Sequence, residues 1–598
     1  MGKAVFIKTR GVIVFRLQFL YLLLCMVWCS PPEDPIKCFS QSRTSNCTIT
    51  NSYGAFPDRS VCRAADVVYP TSEEELVSVV GKGTMSKRKM KVATRYSHSI
   101  PKLVCPDGEE GLLISTRYLN RTLKVEPSTM TMTVESGVTL RQLIDEAAKA
   151  GLALPCSPYW WGLTVGGLLA TGAHGSSLWG KGSSVHDYIV GLRIVTPAGP
   201  KDNYAKLRVI DTTQPDDLSA TRVSLGVLGV ISQVTLRLEP LFKRSITYSV
   251  KNDSDLGEQA TEFGKQYEFA DITWYPSQQK AVYRIDDRVT SNVSGNGHLD
   301  FIGFRSALSI ALAIIRSSEE TQESTSNADG KCIDAKLTTW ALMNGAYGLT
   351  NNGIGFTGYP VVGYHNRLQA SGTCLDSLED GLTTVCPWDS RVKAQFFHQT
   401  TFSVGLSKVK SFIQDVQKLR ELEPKALCGL ELYNGILMRY VKASSAYLGK
   451  QEEAVDFDIT YYRSNDPLRP RLYEDIIEEI EQIGLFKYGG LPHWGKNRNL
   501  AFDGAINKYG RNAEAFLKVK KRYDPLGLFS NEWTEKVLGI QNTNEVTILK
   551  EGCALEGLCV CSQDLHCAPQ KGFFCRPGRL YKDARVCMYL SAMVSATF

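Results

Sequence analysis

The stretch Leu163-Thr-Val-Gly-Gly-Leu-Leu-Ala-Thr-Gly-Ala-His-Gly175 decides how this chain is read. Four glycines and two alanines fall within it, and an imidazole, His174, stands near its end. Residues without bulk let a backbone approach a flat or anionic ligand closely. They also leave N–H groups free to point at phosphate or carbonyl oxygen. No Gly-Lys-Ser/Thr follows, so the stretch is not a P-loop, and it lacks the G-x-G-x-x-G order of a dinucleotide fingerprint. That fingerprint occurs literally at Gly353-Ile-Gly355-Phe-Thr-Gly358, but Pro360 follows and no helix opens there, so the segment reads as a loop.

Strands and helices alternate around the glycine-rich stretch. Ser72 and Glu75 form a capping box for a helix. Lys91 to Tyr96 reads as a strand leading into Ser97-His98-Ser99. Leu123 to Ser136 predicts two short strands, and a helix boxed by Thr139 and Gln142 ends before Gly151. Strands at Tyr188–Thr196 and Ile231–Leu238 flank a helix-like segment, Asp217–Gly226. The fold class is therefore α+β, with a ligand-binding domain over residues 61–240. Residues 241–548 mix helical and strand-like patterns, as at Ser403–Leu422 and Ala454–Tyr462, and read as an α/β substrate-side cap domain with the Pro492-His-Trp-Gly-Lys496 segment in its C-terminal part. An amphipathic helix is expected around Asn512–Tyr523.

The two ends of the chain differ from its middle. Lys3, Lys8, Arg10 and Arg16 precede an apolar run, Leu17 to Trp28, followed by Cys29 and Ser30. Residues 1–29 read as a secretory signal peptide, because the run is shorter than the ~20 residues of a membrane span. A second apolar run, Ala307–Ile315, is shorter still and reads as a buried helix. Residues 30–60 form a polar lead-in that Cys38 and Cys47 are placed to close. Residues 549–598 hold six cysteines, Cys553, Cys559, Cys561, Cys567, Cys575 and Cys587, with few large aliphatics between them. Disulfides are favoured over zinc, since the spacing is not a pair of Cys-x-x-Cys knuckles. Four Asn-x-Ser/Thr sequons, at Asn46, Asn120, Asn252 and Asn292, fit a secreted glycoprotein in the extracellular, cell-wall or vacuolar space. The net charge of +6 is spread along the chain, with no basic block to grip nucleic acid.

Five motifs carry a resemblance to a known family. Ser97-His98-Ser99 resembles the flavin-linking turn of the vanillyl-alcohol-oxidase type of FAD domain. Thr164, Val165, Gly166 and Gly167 through Gly172, Ala173, His174 and Gly175 resemble its second flavin loop. Ser224 through Thr235, with Gly229 and Ile231, resembles the segment along the isoalloxazine edge. His493-Trp494-Gly495-Lys496 resembles the His-Trp-x-Lys motif of the aldonolactone oxidoreductases, and Tyr523 to Phe529 their closing segment. With its secreted, cysteine-tailed form, the chain resembles the plant L-gulonolactone oxidase-like proteins.

The resemblance implies FAD, attached covalently through His98, and a sugar lactone as substrate. Cys156 lies too far from the Thr164 loop to match a doubly linked flavin and reads as a disulfide partner or buried thiol. Lys496 is expected to stabilise negative charge that appears near flavin N1 as hydride reaches N5. Glu431, with Tyr433 two residues on, resembles a lactone-orienting Glu-x-Arg pair, with Arg439 as the nearby replacement for the missing guanidinium. Glu431 and His493 are both candidates to handle the hydroxyl proton. The expected reaction is oxidation of L-gulono-1,4-lactone at C2, with oxygen or another acceptor taking the electrons. Two rivals remain: a polyol or oligosaccharide oxidase on the same fold, and a non-catalytic secreted binding protein.

Overall fold

The computed structural model describes residues 36–40, 44–49, 62–94, 101–107, 110–305, 309–372, 396–464, 466, 468–540 and 546–590. The expected signal segment and the Ser97-His98-Ser99 turn lie outside the described residues.

Two sheets build the N-terminal half. The first runs in the order Ile36–Cys38, Ser45–Ile49, Cys62–Val68, Leu112–Ser115, Met90–Ala93, with its last three strands parallel. Helix Glu73–Met85 supplies the crossover that parallel strands need. Ser72 Oγ accepts the Glu75 N–H at 3.2 Å, but the Glu75 carboxylate reaches back to the Thr71 N–H at 2.8 Å, so the box closes one residue earlier than expected. The second sheet is antiparallel, in the order Ala205–Asp211, Ile189–Pro197, Val230–Arg237, Thr131–Glu135, Thr122–Glu126. Thr139 caps helix Leu140–Lys149, and Gly151 follows at φ +74°.

The glycine-rich loop runs along the seam between these sheets. Thr94 follows a strand of the first sheet and Ser136 a strand of the second. The Gly166 N–H donates to Ser136 O at 2.7 Å. A Cβ on Gly166 would lie 3.2 Å from Ser136 Cβ and 3.3 Å from Thr94 Cγ2.

The cap is an eight-stranded sheet in the order Val361–Tyr364, Lys243–Asn252, Lys280–Val289, Asp271–Tyr275, Ile436–Val441, Ala454–Arg463, Phe396–Gly405, Leu491–Pro492. Its neighbours pair antiparallel. Helices Leu256–Gln266 and Leu406–Leu422 cover one face, where Leu256, Ala260 and Phe263 join Val409, Phe412 and Val416 in one apolar cluster. The other face meets the glycine-rich loop: Arg439 Nη1 donates to His174 O at 3.1 Å. Helices Ser309–Ser324 and Ala328–Asn344 are inserted between two cap strands. The expected helix over the Ala307–Ile315 run forms, but Ile314 is 58% exposed rather than buried.

Beyond the cap the chain returns to the N-terminal half. Trp494, Phe502, Tyr509 and Phe516 share an apolar cluster with Val165, Leu168 and Leu192. The Met90 N–H donates to Leu528 O at 2.7 Å, extending the first sheet's edge. Residues 491–540 thus clasp both bodies. The tail holds a hairpin, Phe573–Pro577 with Arg585–Tyr589, and its six cysteines pair among themselves as Cys553–Cys559, Cys561–Cys575 and Cys567–Cys587. Paired sulfurs offer no thiolate to zinc. Cys38–Cys47 closes the lead-in, and Cys156 is a buried free thiol. No helix among the described residues is long and apolar enough to cross a membrane.

Candidate active site

A cavity of about 420 Å³ lies between the glycine-rich loop and the open face of the cap sheet. Thr164, Gly167, Ala173 and His174 line it from the loop, and Arg439, Asp458, His493 and Lys496 from the cap side. Sheet register explains the charge. Arg284, Asp271, Arg439 and Asp456 are successive partners across four neighbouring strands. Residues directly opposite on adjacent strands are close enough to pair, and opposite charges there are favourable. Thr273, Leu437 and Asp458 form the next row on the same face, two residues along.

The buried ions form one network beside Lys496. Lys496 Nζ lies 2.7 Å from Asp458 Oδ2, and Arg439 Nη2 lies 3.1 Å from the same carboxylate and 3.3 Å from Asp456 Oδ2. Lys450 Nζ is 3.3 Å from Asp456 Oδ1. Three cations face two carboxylates, so the group carries surplus positive charge. The neighbouring cations hold both aspartates below the usual carboxylate range in spite of burial. Desolvation lowers the Lys496 ammonium, against the pull of Asp458. His174 Nδ1 lies 3.0 Å from Gly175 O and its Nε2 3.0 Å from Asp456 Oδ2, and burial lowers its pKa.

His493 lies against His174 with ring centroids 5.6 Å apart. Burial, reinforced by Lys496, pushes its pKa well below the ordinary value and keeps it neutral. Its Nδ1 accepts the Gly495 N–H at 3.1 Å, so the network assigns the ring proton to Nε2. The residue is then a hydrogen-bond donor at Nε2, which differs from the proton acceptor that the motif alone allowed. Trp494 serves packing, with its indole donating to Leu448 O at 2.8 Å.

Glu431 is placed differently from the sequence reading. Leu432, Tyr433 and Asn434 line the cavity, but the Glu431 carboxylate is turned onto the Ser277–Gln278 turn. It accepts from Ser277 N–H at 2.5 Å, Ser277 Oγ at 2.6 Å and Gln278 Nε2 at 2.8 Å. The reason is local: Glu431 ends a short helix, Cys428–Glu431, so it and Tyr433 are not a strand pair on one face. On the strand that follows, Ile436–Val441, Leu437 and Arg439 are two residues apart and both face the cavity.

A second acidic group in the wall went unread in the sequence. Asp271 Oδ2 accepts from Tyr159 Oη at 2.7 Å and lies 3.4 Å from Arg284 Nη1. Burial raises the Asp271 pKa above the usual carboxylate range. Asp271, Arg284 and the Asp456–Asp458 pair come from three separate strands, and no motif joins the three. The available signal was Asp456-Phe-Asp458-Ile-Thr460, an alternation that puts two carboxylates on one strand face.

The seam fits a flavin nucleotide. Ser136 Oγ and Thr164 Oγ1 are buried there without a hydrogen-bond partner among the described residues, beside the backbone that Gly166 and Gly167 leave uncovered. Val165, Gly166, Gly172, Gly175, Gly229 and Ile231 stand behind the cavity wall rather than in it. For Gly175 and Gly229 the protein itself demands glycine: a Cβ would lie 2.5 Å from Ser157 O in the first and 2.3 Å from Val195 O in the second.

Comparison with known proteins agrees with this geometry. Residues 64–200 match the FAD binding domain, residues 388–537 match D-arabinono-1,4-lactone oxidase, and residues 550–589 match the C-terminal domain of L-gulonolactone oxidase 2-like proteins. The chain is 66% identical to probable L-gulonolactone oxidase 6 of Arabidopsis thaliana, over 96% of this chain and 94% of that one. It is 64% identical to L-gulonolactone oxidase 2 of the same plant, over 97% of each. The chain belongs to the L-gulonolactone oxidase family. As a member it is an FAD-dependent oxidoreductase of the vanillyl-alcohol-oxidase fold. A more distant relative of this family member is the L-gulono-1,4-lactone dehydrogenase of Mycobacterium tuberculosis, 26% identical over 81% of this chain and 98% of that one. The fold is shared with cholesterol oxidase from Brevibacterium sterolicum at a TM-score of 0.62 and 15% identity, over 85% of this chain and 100% of that one.

Proposed function

We propose that this L-gulonolactone oxidase family member oxidises L-gulono-1,4-lactone at C2, giving a 2-keto lactone that enolises to an ascorbate-type ene-diol. The observation that carries the reading is the Lys496–Asp458–Arg439 group, whose surplus positive charge borders the cavity. FAD, when bound, takes up the C2 hydride with its two electrons. Thr164, Gly167, Ala173 and His174 would hold its ring on the loop side. Lys496, fixed by Asp458, stabilises the negative charge that arises during hydride transfer. Such a cation is favourable mainly in the transition state, because it is prepaired and needs no reorganisation.

The hydroxyl proton needs an acceptor. Of the two carboxylates that line the cavity among the described residues, Asp458 is paired with both Lys496 and Arg439. Asp271, which burial raises above the usual carboxylate range and which meets a phenol and one guanidinium rather than two cations, is assigned that role. His493 Nε2 and Arg439 are donors for the lactone oxygens. Leu437, beside Arg439 on the same strand face, brings no polar group to the cavity.

The covalent link through His98 belongs to the same reading. Its turn follows Thr94, which lines the cavity directly at the seam. Passage through the secretory pathway is supported by the Leu17–Trp28 run, by the disulfides and by the exposure of Asn46, Asn120, Asn252 and Asn292. Stopped-flow mixing of the purified holoprotein with aldonolactones, polyols and oligosaccharides tests the substrate. Flavin bleaching by L-gulono-1,4-lactone is expected, and bleaching by polyols or oligosaccharides alone would overturn the assignment.

A further inference from the structure

The tail's contacts converge on the segment that carries Lys496. On one side the tail grips helix Glu474–Gln482. The buried Glu479 carboxylate accepts backbone N–H bonds from Arg579 at 2.7 Å, Leu580 at 2.8 Å and Tyr581 at 2.8 Å. Gln482 both donates to Arg585 O at 2.9 Å and accepts from the Arg585 N–H at 3.0 Å.

On the other side the loop closed by Cys553–Cys559 lies on Arg498. The Leu500 N–H donates to Gly557 O at 3.4 Å. Gly557 has φ +71°, and a Cβ there would lie 2.1 Å from Arg498 Cδ. Arg498 is fully buried; its Nη1 donates to Glu478 Oε1 at 2.6 Å and its Nη2 pairs with Glu481. Both glutamates stand on the helix that the tail grips. Helix, tail and Arg498 therefore close into one clamp.

The clamp is continuous with the cavity wall. Asn497, at φ +78°, separates Arg498 from Lys496. Its Oδ1 accepts the Thr401 N–H at 2.6 Å, and its Nδ2 donates to His493 O at 3.0 Å. Thr400 Oγ1 lies 2.9 Å from both Asn497 Oδ1 and Glu481 Oε1, which links the turn back to the clamp. The Lys496 N–H closes the turn on His493 O at 3.1 Å.

We propose that the disulfide tail is a positioning element for the reaction: through Gly557 and Arg498 it fixes Lys496 at the cavity wall. This rests on the role given to Lys496 above. The tail is then a brace for the site rather than a separate binding module. Gly557, Arg498 and Asn497 are positioning residues that act through Lys496.

Sulfite binding to the oxidised holoprotein reads the cation without turnover, because sulfite adds to flavin N5 and leaves negative charge near N1. The full-length variants to compare are Gly557→Ala, Lys496→Met and their combination. Cys553→Ser/Cys559→Ser, which opens the loop carrying Gly557, replaces Gly557→Ala if that protein does not fold. Each is checked for flavin content and melting temperature before titration. Residues coupled through one network give non-additive effects, so the tail variant should weaken sulfite binding by about tenfold alone and add almost nothing in the Lys496→Met background. Wild-type sulfite affinity in a folded, flavin-loaded tail variant would overturn the brace, as would an effect that persists undiminished beside Lys496→Met. If Lys496→Met itself leaves sulfite affinity unchanged, the role of Lys496 fails first and the brace with it.

Discussion

Lys496 meets Asp458 Oδ2 at 2.7 Å, and its ammonium has three donors, so the contact fixes the group without exhausting it. Lys496→Met should slow flavin reduction by about two to three orders of magnitude, the worth of a placed charge-stabilising donor, with FAD still bound. Stopped-flow reduction measures it. Asp271 gives a different signature. Its raised pKa keeps it protonated, and unable to accept a proton, up to a higher pH than an ordinary aspartate. Activity should therefore rise with pH through a limb displaced above the usual carboxylate range, and Asp271→Asn should abolish that limb in a kcat/KM profile. Glu431→Gln should leave KM for the lactone near normal. It should lower stability by about 1–3 kcal/mol, because buried donors on Ser277 and Gln278 lose a charged acceptor; denaturant melts measure the loss. Lys496 and His493 were legible because one contiguous motif carries them. Asp271 and Arg284 were not, since strand register alone brings them together.

Among the elements, the glycine-rich loop was readable because its chemistry is local: small residues, a seam and an imidazole. The short strands and capped helices of the N-terminal half were readable for the same reason, most boundaries shifting by a residue or two, although the strand read from Lys91 ends at Ala93 and the helix read over Asp217–Gly226 spans Pro215–Thr221. The cap was readable only in pieces: the mixed segments at Ser403–Leu422 and Ala454–Tyr462 hold helix Leu406–Leu422 and strand Ala454–Arg463, but the order of the sheet's strands was not visible. Its strands bury charged side chains on the face toward the cavity, as Arg284 and Asp271 do, and only their register joins them. The Glu-x-Arg assignment failed at the same point, since the Cys428–Glu431 helix cannot be told from a strand start by spacing. That helix is tied to helix Ala328–Asn344 by Cys332–Cys428, across 96 residues of chain. Cys332→Ser should cost about 2–5 kcal/mol of stability, read as a lower melting temperature, with flavin reduction by the lactone retained.

At the scale of the whole molecule, two bodies enclose the cavity and the segment 491–540 clasps them, with the tail locking the clasp from outside. This arrangement explains why the motif that carries Lys496 follows the cap in sequence yet packs into the flavin-side core through Trp494 and Phe502. It also sets a prediction for the cofactor. Acid-precipitated protein should stay yellow, and His98→Ala should release its flavin on precipitation; colourless wild-type precipitate would leave FAD bound without a covalent link. The most direct measurement is anaerobic mixing of the holoprotein with L-gulono-1,4-lactone in a stopped-flow spectrophotometer. Rapid loss of the oxidised flavin band, slowed strongly by Lys496→Met, is the expected result. A flavin that stays oxidised with every aldonolactone, or that Lys496→Met reduces as fast as wild type, would contradict it.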